Sequence, residues 1–195
     1  MAAYIFDNIL TQGIRAGQIP ARTTDARNWF RDAAATTNVA PSTLIKRNRG
    51  KQVGRPVTGS MYLFNYDPKH KKTLPYYDRF PLIFMIEDYS DGFLGVNLHY
   101  LPPQLRARLM DALYSNVNNT RYDETTKLRL SYDILKSAAK YKMFKPTVKR
   151  YLTRQVKSSF VLIDPVEWDV ALFLPVQRFS KKSADFVWNE SRKAI

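Results

Sequence analysis

The chain has 195 residues, with 31 Lys and Arg against 17 Asp and Glu, so its formal net charge is +14. It has no Cys and two His, which excludes disulfides, thiolate metal sites and cysteine nucleophiles and leaves little for a zinc site or a His-based triad. With 45% hydrophobic and 13% aromatic residues it can build the core of one domain, with or without an appendage, and is not a disordered basic tail.

In chain order, Ile5, Phe6, Ile9, Leu10 and Ile14 recur at helical spacing and predict a helix over 3–17, punctuated by Gly17 and Pro20. A second helix is predicted over 24–36, with Thr24 as its cap and Trp29, Phe30 and Ala33 as its apolar stripe. A short third helix begins at Ser42 after Pro41. The segment RNRGKQVGRPVTG (47–59) breaks either period and reads as a loop or arm, against DNA or against a neighbouring subunit.

From Ser60 the pattern changes to β. Residues 61–67, 81–88 and 92–100 read as three strands joined by turn-like connectors over 67–75 and 88–92, an antiparallel meander. Pro102-Pro103 opens a helix with Leu105, Leu109, Leu113 and Tyr114 on one face. Residues 123–141 predict another, with Asp123 as cap, and Pro146 opens a further short one. Residues 158–164 are strand-like. Asp164-Pro165-Val166-Glu167 has the form of a capping box, opening a helix that Pro175 ends, with a strand over 170–174 as the competing reading. An amphipathic helix over 183–194 closes the chain. The longest apolar run, 81–86, is far below the roughly 20 residues of a membrane span, and no basic stretch followed by an apolar one opens the sequence, so neither membrane insertion nor a secretory signal is expected.

The fold class that follows is α+β: a small antiparallel β-meander, or an SH3-like barrel if strand 158–164 joins it, packed with several helices. An open sheet with helices on one face is the alternative. The division expected is 1–58 as N-terminal helices and basic arm, and 59–195 as an α+β core domain.

The charge is localised. Residues 46–72 hold eight basic groups and one acidic, net +7; residues 134–163 hold eight and none, net +8; the middle, 73–133, is net −2. A polyanion is attracted by Lys and Arg without intervening carboxylates, so these blocks are the candidate nucleic-acid contacts. The first offers Lys46, Arg47, Arg49, Lys51, Arg55, Lys69, Lys71 and Lys72; the second offers Lys136, Lys140, Lys142, Lys145, Lys149, Arg150, Arg154 and Lys157. The spacing of the second set predicts a helix over 136–157 with several cations along one side and Tyr141, Phe144, Val148, Tyr151 and Leu152 inward. No recognition helix with polar base readers is visible, so the binding expected is by shape and charge. A solvated face, or an acidic protein partner, would use the same residues.

Other motifs are weaker. Gly50, Gly54 and Gly59 do not form a phosphate-binding loop, because no Gly-Lys-Ser/Thr closes it. Tyr76-Tyr77-Asp78-Arg79-Phe80-Pro81 could stack on exposed bases at a DNA end, or be a turn with Tyr76 and Phe80 in the core and Asp78 on Arg79 or a backbone amide. Glu87, Asp88 and Asp91, and Asp123 with Glu124, do not have the spacing of a two-metal nuclease. No catalytic residue, metal ligand or cofactor site is expected.

The strings GSMYLFNYDPKHKKTLPYYDRFPLIF, DGFLGVNLHYLPPQLRARLMDALY, RYDETTKLRLSYDILKSAAKYK and FVLIDPVEWDVALFLPVQRF resemble a family of T-even-type contractile-tailed phages and their marine and cyanobacterial relatives, the DNA end protector family. The resemblance runs from about Gly59 to the C-terminus, with a weaker match around Ala26-Arg27-Asn28-Trp29-Phe30. It implies a non-enzymatic virion protein that binds double-stranded phage DNA ends near the head–tail junction and shields them from host exonuclease. It also implies location in the virion, and in the host cytoplasm during assembly and infection, with other virion proteins of the neck or tail as partners and no membrane. The alternative is a structural subunit of the tail baseplate or neck, its arms 47–59 and 1–20 holding neighbouring subunits. The family brings no catalytic motif.

Overall fold

The computed structural model describes residues 5–19, 23–48, 51–117, 132–133, 135–137 and 142–193. Three helices open the chain: α1 (Ile5–Arg15), α2 (Thr24–Ala35) and α3 (Pro41–Arg47). The cap of α2 is Thr23 rather than Thr24: its hydroxyl accepts from the Ala26 amide at 3.1 Å, and its extended backbone places it outside the first turn. The strands are β1 (Gln52–Val53), β2 (Met61–Leu63), β3 (Tyr77–Asp78), β4 (Leu82–Tyr89), β5 (Gly92–Asn97), β6 (Val148–Leu152), β7 (Phe160–Ile163) and β8 (Phe179–Ser180). Three more helices follow β5 and β7: α4 (Pro103–Val117), α5 (Trp168–Phe173) and α6 (Ala184–Lys193). Asp164 and Glu167 form the expected capping box ahead of α5. The helix expected over 123–141 lies mostly outside the described residues.

The fold is α+β. Six antiparallel strands are ordered β1-β7-β2-β4-β5-β6, and β3 pairs with β8 in a separate ribbon. The meander expected for β2, β4 and β5 is present and extended: β6 joins β5, and β7 returns to pair with β2. The ladder does not close, so the structure is an open sheet and not a barrel. It is nevertheless strongly curled. In a flat sheet β2 and β6 would lie three strand spacings apart, about 14 Å. Here the rings of Phe64, just after β2, and Tyr151 of β6 are 5.4 Å apart, and the Leu152 amide donates to Tyr66 Oη at 3.2 Å.

Strand alternation divides the apolar residues between two cores. Met61, Leu63, Leu82, Phe84, Val161 and Ile163 face the helix layer, where Phe6, Ile9, Phe30, Leu44 and Trp168 cover them. Tyr62, Phe64, Ile83, Met85, Phe93, Tyr151 and Phe160 face the inside of the curl. Arg31 of α2 holds the helix layer together through Asp169 (2.9 Å) and Asp111 (2.8 Å).

Two sequence expectations over one stretch are overturned, the helix over 136–157 and the short helix opened by Pro146. Residues 136–157 are not one helix: residues 142–147 form a 3₁₀ turn, 148–152 are strand β6, and 153–155 turn again. Pairing with β5, from Gly92↔Leu152 to Val96↔Val148, decides the conformation. β-Branched and aromatic Val148 and Tyr151 favour it, and Pro146 cannot donate within a helix. The cations of this stretch therefore alternate between faces instead of lining one stripe.

The β5–β6 approach leaves no room at Gly92, where a Cβ would sit 1.9 Å from the Tyr151 carbonyl oxygen. Gly92→Ala is expected to push β6 off β5 and cost about 2 kcal/mol or more, read as a lower denaturation midpoint. A midpoint equal to wild type would contradict this register.

Candidate nucleic-acid interface

The face where the two basic blocks meet is built by backbone pairing. After Leu63 the β2 chain continues alongside the segment that leads into β7. Tyr66 bridges Val156, the Asp67 amide donates to the Gln155 carbonyl at 3.1 Å, and the Lys157 amide donates to the Asn65 carbonyl at 2.8 Å. The first block thus ends against the second. The turn over 68–74 is closed by Lys71 N to Pro68 O (3.2 Å) and Leu74 N to His70 O (3.1 Å). It is stapled to β8 by Lys181, whose Nζ donates to the Lys72 and Leu74 carbonyls at 2.9 and 2.6 Å. Lys181 holds a left-handed backbone (φ 72°), the one such non-glycine among the described residues.

A cleft of about 460 Å³ runs along this seam, lined by Asn65, Asp67, Lys71, Arg79 and Lys157, with Tyr66 and Tyr77 at its side. Asp67 is matched by Lys71 at 2.8 Å, which leaves Arg79 and Lys157 without a carboxylate in ion-pair contact among the described residues. Lys69 and Lys72 stand exposed on the adjoining turn, and Arg154 is exposed beside Gln155.

The remaining sequence candidates are placed differently. Lys51 is turned into the fold, where Asp164 accepts at 2.8 Å and buried Glu167 accepts as well. Arg55 pairs with Asp88. Arg150 pairs with Asp91 and lies 3.9 Å from the Tyr89 ring centroid. Lys46 and Arg47 are exposed in the last turn of α3. Lys136 lies 5.7 Å from the Tyr132 ring, and Lys145 is exposed in the 3₁₀ turn. Arg49, Lys140 and the side chain of Lys142 fall outside the described residues.

Lys149 is the exception in β6. Alternation aims it to the same side as Tyr151, and its ammonium sits 4.3 Å from the Tyr100 ring centroid. Burial pulls its pKa down, and it has no carboxylate partner among the described residues.

Beneath this face is a buried polar network. His99 Nδ1 donates to Asp78 Oδ2 at 2.7 Å, and Asn97 Nδ2 donates to Asp78 Oδ2 and Tyr151 Oη, each at 3.1 Å. Asp78 Oδ1 accepts the Phe80 amide at 3.0 Å, the backbone partner foreseen from the sequence. Burial lowers the His99 pKa below its ordinary value and outweighs the attraction of Asp78, so the imidazole is neutral; its Nε2 has no partner among the described residues. Arg106, also fully buried, donates to the carbonyls of Leu101 (2.8 Å), Leu172 (2.7 Å) and His99 (3.4 Å). Burial lowers its pKa to about 10, which still leaves it charged at neutral pH. These groups tie β3, β5, β6 and α4 into one rigid support.

Arg79 and Lys181 lie outside the two charge blocks; Arg79 was offered by the sequence only through the aromatic motif 76–81, and Lys181 carries no local signal. Among the described residues no cluster of His, Asp and Glu could hold a metal ion, and no helix is long and apolar enough to cross a membrane.

A compact α+β support that presents unmatched cations beside tyrosines is a polyanion-binding type of surface in its chemistry. The family model described as the phage T4 terminal DNA protecting protein matches residues 6–193, and the chain belongs to that phage family, named for the protection of DNA ends. No curated protein and no solved structure matches the chain.

Since folded His99 is held below its ordinary pKa of 6.5, the unfolded chain takes up the proton first as pH falls. The stability contributed by neutral His99 is full above that value and is lost below it, by up to about 1.4 kcal/mol per pH unit. Unfolding midpoints measured between pH 7.5 and 5 are expected to fall, and His99→Gln to flatten that slope. An unchanged slope in the variant would contradict a neutral buried imidazole. Arg106→Lys, which cannot serve three carbonyls in the same plane, should cost about 3 kcal/mol by denaturant titration.

Proposed function

We propose that this protein binds the ends of linear double-stranded DNA by charge and shape and blocks exonuclease access sterically, without catalysis. The observation that carries the reading is the seam at Tyr66↔Val156, where Lys71, Arg79 and Lys157 line one cleft and Lys149 lines the pocket that shares Tyr66 and Tyr77 with it. Membership of a family named for terminal DNA protection supports the preference for ends. Phosphates held by such cations release condensed counterions, so affinity falls steeply with salt and does not depend on sequence. Lys51, Arg55 and Arg150, already matched by carboxylates, contribute less than the unmatched cations. Location in the virion near the head–tail junction belongs to the same proposal.

Contact with other virion proteins is a second proposal. Ile14 and Ile19, at and just beyond the end of α1, are 62% and 54% exposed, and they suit a protein neighbour rather than a phosphate backbone. A copy number per particle that matches a symmetric ring would favour a neck or baseplate subunit over an end protector.

In a titration of blunt linear duplex against covalently closed circles of the same sequence, the linear form is expected to bind more tightly, with log K falling linearly against log salt. Replacing both Arg79 and Lys157 with Ala should reduce that slope by about two, whereas Lys51→Gln should lower stability and leave the slope unchanged. Equal binding of circles and linear DNA would refute end recognition. Binding that ignores salt would refute the phosphate contacts.

A further inference from the structure

Next to the cationic cleft, and sharing Tyr66 and Tyr77 with it, lies a separate pocket of about 160 Å³. It is lined by tyrosines 66, 76, 77, 100 and 151 together with Asp78, Lys149 and Arg150. Three features set it apart from an ordinary surface dimple. Tyr77 is half-buried, as is Tyr76, whose ring packs among Tyr100, Phe179 and Phe186, while Tyr100 and Tyr151 are buried behind them. The Lys149 ammonium is partly desolvated against the Tyr100 ring and has no carboxylate to balance it among the described residues. The carboxylate in the wall, Asp78, turns its oxygens to His99, Asn97 and the Phe80 amide and makes no ion pair with Lys149.

An uncompensated, desolvated cation favours an anion, and exposed aromatic faces favour a planar ring. A nucleotide supplies both in one ligand. Bases within a duplex are stacked on both sides and unavailable, but the last nucleotide of an end is stacked on one side only and costs least to extrude.

We propose that this pocket receives the terminal nucleotide of a DNA end, its base against the tyrosine rings and its phosphate facing Lys149, so that the pocket, rather than the surrounding charge, distinguishes an end from internal duplex. The proposal rests on the end-binding reading above and supplies its selectivity. The cleft of Arg79 and Lys157 then tracks the phosphates that follow.

The test uses the full chain and three DNA probes at one salt concentration: blunt duplex, the same duplex with an abasic sugar-phosphate in place of each terminal nucleotide, and a closed circle. Wild type is expected to bind the intact end about ten-fold more tightly than the abasic end. Lys149→Met, which keeps the packing on Tyr100, and Tyr77→Ala should each remove most of that difference. They should also leave the unfolding midpoint close to wild type. Equal affinity for intact and abasic ends, in a protein that still prefers ends to circles, would overturn the pocket while leaving end binding standing. No preference for ends over circles would overturn both. Variants that keep the ten-fold difference would place base recognition elsewhere and overturn the assignment.

Discussion

The structure depends on one constraint: the rings on the inner side of the sheet must leave water together, and a flat sheet cannot achieve this. Phe64, Tyr66, Phe93, Tyr151 and Phe160 contact one another at centroid distances between 4.9 and 6.2 Å, mostly edge to face. Burying each large ring contributes roughly 2 kcal/mol, with more from the ring–ring geometry. The sheet curls until its sixth strand reaches the continuation of its second. Tyr66 Oη on the Leu152 amide and the ladder from Asn65 to Asp67 seal that approach. Two basic segments separated by a mildly acidic middle are thereby brought to one seam. The face proposed to bind phosphates is thus a consequence of the aromatic core.

Below the seam, polar groups are satisfied mostly inside the protein. Asp78 joins His99, Asn97 and the Phe80 amide just after β3, while Arg106 is held by three carbonyls and the Trp188 ring. Such a network is costly unless nearly complete, and here it fixes the positions of β3, β5 and β6 relative to α4. Cations divide in the same way. Those that tie elements together, Arg31 and Lys51, are matched by carboxylates. Arg79, Lys149 and Lys157 lack such matches among the described residues and converge beside the tyrosines.

Much of this was readable in the sequence, for identifiable reasons. The helices α1, α2, α5 and α6 have clear apolar periods or caps, and Asp164-Pro165-Val166-Glu167 encodes a local hydrogen-bond pattern independent of the rest of the fold. Strands β4 and β5 are short apolar runs containing β-branched and aromatic residues. The segment 148–152 was not readable, because its lysines fall at helical spacing while its conformation is decided by β5, some fifty residues earlier in the chain. The local signs of a strand were few: β-branched Val148, aromatic Tyr151 and the preceding Pro146. The two-residue strands β1, β3 and β8 carry no period at all. For the interface, net charge located the blocks but could not separate matched from unmatched cations. The partners of Lys51, Arg55 and Arg150 are distant in sequence, and Arg79 sits outside both blocks.

The central claim is that both basic blocks contribute to one DNA-end face at the β2–β6 seam. Amide hydrogen exchange of the full chain with and without a saturating short blunt duplex tests it most directly. Protection is expected to concentrate in residues 66–79 and 149–157, with little change at α3 and at 51–55. Protection confined to α3 and 51–55, or to the exposed end of α1, with the seam exchanging as in the free protein, would contradict the account.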